Sequence, residues 1–105
     1  MATMADSLSK HPGDLGRLFP SRNEDVHGTN MDGESVLLNL TTGRYYTLNA
    51  VGALIWEQCS GDHSLKDMVS QICAKFDVPE HQAQEDLLEL VGHLSQEGLI
   101  QTERR

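Results

Sequence analysis

The sequence predicts an α+β domain of winged-helix-like arrangement, in which a three-stranded antiparallel sheet is followed by a three-helix bundle. Three observations predict it. Apolar residues alternate with period two just before the turn signal Thr41-Thr42-Gly43, and the arm RYYTL returns from that turn. Behind this hairpin come three stretches with apolar residues at helical spacing, each opened by a helix-start signal. The chain has 105 residues, which leaves room for one domain.

The elements follow in order. Residues 1–23 belong to a front rich in Gly, Pro, Ser, Asn and Asp with no regular apolar spacing, and read as a flexible tail. The folded unit spans residues 24–100. A weak strand signal covers 24–29 (EDVHGT). In SVLLNL, Val36, Leu38 and Leu40 alternate with Ser35, Leu37 and Asn39, the mark of a half-buried strand. Gly43 supplies the positive φ of the turn, and residues 44–48 return with Tyr46 and Leu48 on one face and Tyr45 and Thr47 on the other.

Asn49 is a good N-cap for a first helix whose buried face carries Val51, Leu54, Ile55 and Cys59. Ser64 to Asp67 resembles a capping box and opens a second helix with the stripe Leu65, Met68, Val69, Ile72 and Phe76. A third helix opens at Asp77-Val78-Pro79-Glu80, with Asp77 as cap and proline in the first turn, and ends near Gln96 with Gly98 as a left-handed cap. Leu99 and Ile100 fold back, and residues 101–105 read as a fraying end. A lone hairpin is marginal, so the sheet must lie on the helices.

Composition excludes several functions. Sixteen acids against eight bases give a net charge of −8, the wrong sign for a phosphate backbone or an anionic membrane. A winged-helix DNA-binding protein needs a basic recognition helix, and the longest helix here is acidic. No apolar run reaches the length of a membrane span and the start does not read as a signal peptide, so the expected location is cytoplasmic. Cys59 and Cys73 fall on apolar helix sides, as reduced buried thiols do. Neither a nucleophile–base order nor a phosphate loop is present, so no catalytic residue and no enzyme activity are expected. His81 and Glu85 have i,i+4 spacing, but a single such pair makes no metal site, and no cofactor is expected.

Two features point to binding instead. With the front strand on the far side of the hairpin, residues 44–48 form a sheet edge guarded only by Arg44, and an open edge can accept an extended peptide as an added strand. On the third helix, Ala83, Leu87, Leu90, Val91 and Leu94 form the core band, while Leu88 lies to one side with Gln84 and Ser95 flanking it and could line a groove. The same open edge could also pair with a second copy, as in a dimerisation module.

The run LLNLTTGRYYTLNAVGALIW, a short second helix, and QAQEDLLELVGHLSQEGLI together resemble the PqqD-like family, over about residues 24–100. These are precursor-peptide recognition elements of ribosomally made, modified peptides. The resemblance implies a non-catalytic module that binds a leader peptide as an added strand, between the third strand and third helix, and hands it to a modifying enzyme. Carried onto this chain, it implies peptide contacts from Arg44, Tyr45, Tyr46, Thr47, Leu48, Gln84, Leu88, Val91 and Ser95. The GxxIW text at the first helix is closer to the stand-alone recognition proteins of lasso-peptide clusters, whose partners are a leader protease and a cyclase. In the quinone branch of the family the partner is a radical-SAM enzyme.

Overall fold

The computed structural model describes residues 12–32 and 34–105. Of the tail expected over residues 1–23, residues 1–11 lie outside the described residues, as does Gly33. The chain is α+β. Strands β1 (Leu18–Arg22), β2 (Val26–Met31), β3 (Glu34–Asn39) and β4 (Tyr45–Leu48) precede helices α1 (Ala50–Gln58), α2 (Leu65–Lys75) and α3 (Glu80–Gln96), and β5 (Ile100–Arg104) follows.

Strands β2, β3 and β4 form one antiparallel sheet in that order. The β3–β4 turn is closed by Gly43, at φ +76°, whose N–H donates to the Asn39 carbonyl at 2.8 Å. The Asn39 side-chain oxygen also accepts from the Thr41 N–H at 2.9 Å, so a polar residue earns its place on the buried side of β3. Indeed the buried set on β3 is Ser35, Leu37 and Asn39, and the apolar set Val36, Leu38 and Leu40 points outward. Leu38 and Leu40 are exposed, beside Tyr45 and Met31. Only Leu37 of the inward set is apolar, and it is fully buried.

The sheet is closed over α1. Trp56 of α1 comes so near β2 that a Cβ on Gly28 would sit 2.8 Å from its Nε1, which only glycine permits. Residues Gly52 to Trp56 are all buried, because α1 is apolar nearly all round and lies at the centre of the domain.

Helix boundaries follow their caps. The Asn49 side chain accepts from the Gly52 N–H at 2.8 Å. Ser64 and Asp67 make a complete capping box, with bonds of 3.1 and 3.0 Å. The third helix begins later than its sequence suggests: Pro79, not Asp77, is the N-cap, and it makes no side-chain cap bond. Val78 precedes a proline and is pushed out of the helical region, so the helix can start only beyond it. At the other end the Leu99 N–H donates to Leu94 and the Gly98 N–H to Ser95, a Schellman closure with Gly98 at φ +75°.

Two segments without any strand signal nevertheless pair. Within the region read as a tail, β1 runs antiparallel to β5, which occupies the supposed fraying end, in a register from Leu18↔Arg104 to Arg22↔Ile100. Leu15 and Leu18 join the core, and Arg105 stacks on Phe19. The Arg22 guanidinium donates to the Trp56 and Glu57 carbonyls at 3.0 and 3.1 Å, satisfying the end of α1. Among the described residues, no helix is long and apolar enough to cross a membrane.

Candidate functional site

A cleft of about 710 Å³ lies between β4 with the start of α1 on one side and α3 on the other. Its first wall is built from Thr47, Leu48, Asn49, Val51, Gly52 and Ile55. The facing wall presents Asp86, Glu89, Leu90, His93 and Gln96. Leu48, Val51, Ile55 and Leu90 make an apolar floor, and two carboxylates and an imidazole rim it. The acids come from a helix that carries no Lys or Arg at all, so the rim has a single sign apart from His93.

Both walls owe their positions to local rules. The Asn49 cap turns the chain from β4 into α1 within one residue, which brings the strand edge and the helix start onto one wall. Gly52 sits in the tightest part of that corner, where a Cβ would lie 3.1 Å from Leu48 Cβ.

The backbone of β4 is available on its outer side. Arg44 accepts from the Asn39 N–H at 2.9 Å, and Tyr46 and Leu48 lie opposite Leu37 and Ser35 in register. Main-chain groups of alternate residues point the same way, so those of Arg44, Tyr46 and Leu48 face β3. Those of Tyr45 and Thr47 face away, and no strand among the described residues pairs with them. Side chains divide likewise: Leu48 is buried and Tyr46 half-buried on the inner face, whereas Tyr45 stands on the outer face, 71% exposed.

Next to the cleft, the β4 arm and the end of α3 are joined directly. The Tyr46 hydroxyl donates to Glu97 Oε2 at 2.5 Å, and the Arg44 guanidinium reaches the same oxygen at 3.3 Å while lying over the Tyr46 ring. The hydrogen bond from Tyr46 holds the Glu97 carboxyl below its usual range against the opposing effect of burial, with Arg44 and His93 adding to the lowering. The same bond, with burial, raises the Tyr46 hydroxyl.

The residues expected at the site do not all meet there. Thr47 and Leu48 line the cleft, Tyr46 and Arg44 lie beside it in contact with Glu97, and Tyr45 is on the outer face. On α3 the expected set is turned away: Leu88 and Val91 are buried in the core, and Gln84 and Ser95 are half-buried beside them. Leu90, assigned to the core, is the leucine that faces the cleft. A helical wheel shows a wide apolar arc with a leucine at each margin, and cannot say which margin meets the sheet. Asp86, Glu89, His93 and Gln96 line the cleft without having been among the expected contacts; their signal in the sequence is the acidic face of the helix.

The cleft contains no thiol. Cys59, the C-cap of α1, is buried, donates its Sγ–H to the Ile55 carbonyl, and its thiol is pushed up to about 12 by burial. Both cysteines are free. No group of three or more His, Cys, Asp or Glu side chains among the described residues could hold a metal.

An open strand edge beside a helix-walled cleft can accept an extended peptide as an added strand. The sequence profile of coenzyme PQQ synthesis protein D (PqqD) matches residues 34–100, and the chain belongs to this family. Two solved structures share the fold. One, TbiB1 in complex with the TbiA(beta) leader peptide, is 31% identical, with a TM-score of 0.71 over 77% of this chain and 94% of that one. The other, lasso peptide synthetase B1 complexed with the leader peptide, is 26% identical, with a TM-score of 0.70 over 78% and 96%. No curated protein matches.

Proposed function

We propose that this chain is a non-catalytic adaptor that captures the leader segment of a ribosomal precursor peptide as a strand added to β4, and presents it to a modifying enzyme. The observation that carries this reading is the unpaired outer edge of β4 at Tyr45 and Thr47, which borders the cleft at Thr47. Two structural relatives with this fold are each in complex with a leader peptide, which supports the same occupant here.

In this arrangement the guest pairs with the Tyr45 and Thr47 main chain. Guest side chains that point inward meet Leu48, Val51, Ile55 and Leu90, with Asp86, Glu89, His93 and Gln96 at the rim. Side chains that point outward pass beside Tyr45. Leu88 and Val91 hold α3 in place from behind, and Gln84 and Ser95 take no direct part. The enzyme expected to receive the guest is a leader protease or cyclase, of the kind paired with lasso-peptide recognition proteins, or a radical-SAM enzyme. A cytoplasmic setting fits this role.

The edge could also join two copies of the chain, and the strand-then-helix order resembles a winged helix. DNA is disfavoured by the acidic α3, whose carboxylates would face phosphates. One experiment separates these readings: titration of the ¹⁵N-labelled chain with a synthetic leader from the precursor encoded beside it. Shifts confined to residues 45–49 and 86–96 are expected. A lack of shifts there, or a concentration-dependent dimer that the peptide does not dissolve, would sink the adaptor reading.

A further inference from the structure

We propose that Arg44, Tyr46 and Glu97 form a clasp that fixes the spacing between the edge strand and α3, with Glu97 as the positioning residue of the peptide cleft. This rests on the peptide-binding reading above and adds to it a group that contributes to affinity without lining the cleft.

The three side chains join the two walls. Arg44 and Tyr46 belong to the β4 arm, and Glu97 is the C-cap of α3. Tyr46 is followed at once by Thr47, and Glu97 is preceded at once by Gln96, so the residues next to the clasp are cleft residues on opposite walls. Both contacts converge on the single atom Oε2, which makes the carboxylate the hub. The Glu97 cap position is itself rigid. Its N–H donates to the His93 carbonyl, and the Schellman closure at Gly98 holds the residue that follows.

Such a clasp is poorly placed to hold the fold together. The Arg44 side chain is 65% exposed and that of Glu97 25%, and ion pairs at this exposure contribute little to stability. The core and the β3–β4 ladder already keep the domain folded. What the core leaves unspecified is the width of the cleft near Tyr46, because on this wall β4 is a short strand to whose outer side no strand among the described residues is paired. A strand-accepting cleft needs its edge and its facing helix at one separation. If loss of the clasp left that separation populated for about a fifth of the time, apparent affinity would fall about fivefold.

The test is a double-mutant cycle read on binding. The probe is a fluorescent peptide of about 12 residues, drawn from a random displayed library selected on the immobilised full chain. It is kept only if it shifts the Thr47 and His93 amides. Failure of every selected peptide to do so would overturn the peptide reading and the clasp with it. Given such a probe, Tyr46→Phe and Glu97→Ala should each weaken binding about fivefold, mainly through faster dissociation. The double variant should be no weaker than the worse single, and Glu97→Gln, which keeps an acceptor for the hydroxyl, should recover most of the loss. Melting temperatures should stay close to that of the parent chain. Probe affinity unchanged in both single variants, losses that multiply in the double, or losses that simply follow the melting temperature would overturn the clasp while leaving the peptide reading standing.

Discussion

Tyr46 and Glu97, 51 residues apart in the chain, meet through a hydrogen bond that links the free sheet edge to the end of the longest helix. That bond lies next to the cleft residues Thr47 and Gln96, and its two partners titrate at opposite ends of the pH scale.

Stability should therefore reflect both. Glu97 is lowered from its ordinary 4.5, chiefly by the Tyr46 hydroxyl and further by Arg44 and His93. A lowered acid contributes stability above its unfolded value and loses it as pH falls through the folded one. Tyr46 is raised from 10.0, so its contribution is complete below that value and is lost as pH rises beyond it. Urea unfolding followed across pH should show a small loss below about pH 4.5 that is absent in Glu97→Gln, and a loss above pH 10 that is absent in Tyr46→Phe.

Leu88 and Leu90, two positions apart, should behave oppositely. Leu88→Asp puts a carboxylate into the core and should unfold the domain, since truncating such a leucine even to alanine costs about 2–5 kcal/mol. Leu90→Asp should leave a cooperative melt and abolish leader binding. Circular dichroism with a binding titration decides the matter; a folded Leu88→Asp chain would place that residue at the surface.

Proline along β4 offers a backbone-level check. The Thr47 N–H points away from β3, so Thr47→Pro removes no bond of the sheet but deletes a donor for an added strand. Tyr46→Pro breaks the pairing with Leu37 and should cost more stability. The expected order is reversed for the guest relative to the loss per unit of stability: Thr47→Pro should weaken binding more than its melting shift explains.

Two helix caps form a matched pair. Asn49→Ala and Ser64→Ala should each cost about 1 kcal/mol in chemical denaturation. Asn49 lines the cleft and Ser64 does not, so only the first should also reduce leader affinity. Equal binding by both variants would mean that the β4–α1 corner does not shape the site.

Much of this fold was legible because it is written locally. The Gly43 turn, the Asn49 cap, the Ser64–Asp67 box and the Gly98 closure each sit within a few residues of their partners. What was illegible is either distant or two-sided. β1 and β5 are short, one contains Pro20 and the other is polar, and each becomes a strand only because the opposite end of the chain lies against it. On β3 a single inward leucine outweighs three outward apolar residues, since burial of Ser35 and Asn39 is decided by the turn and by α1 beneath. The cleft itself was half visible: the open edge followed from strand order, but the face of α3 that meets it depends on how that helix rolls on α2.

The brevity of β4 sets an upper bound on generic attraction. Two outward-facing residues offer at most about four main-chain bonds, each worth about 0.5–1.5 kcal/mol net, against an association entropy of at least about 4 kcal/mol. A guest of arbitrary sequence would then be held weakly or not at all. Discrimination follows from this shortage. Only a peptide whose side chains also fill the floor at Leu48, Val51, Ile55 and Leu90 can stay, so the stunted strand works as a filter against every other extended chain it meets.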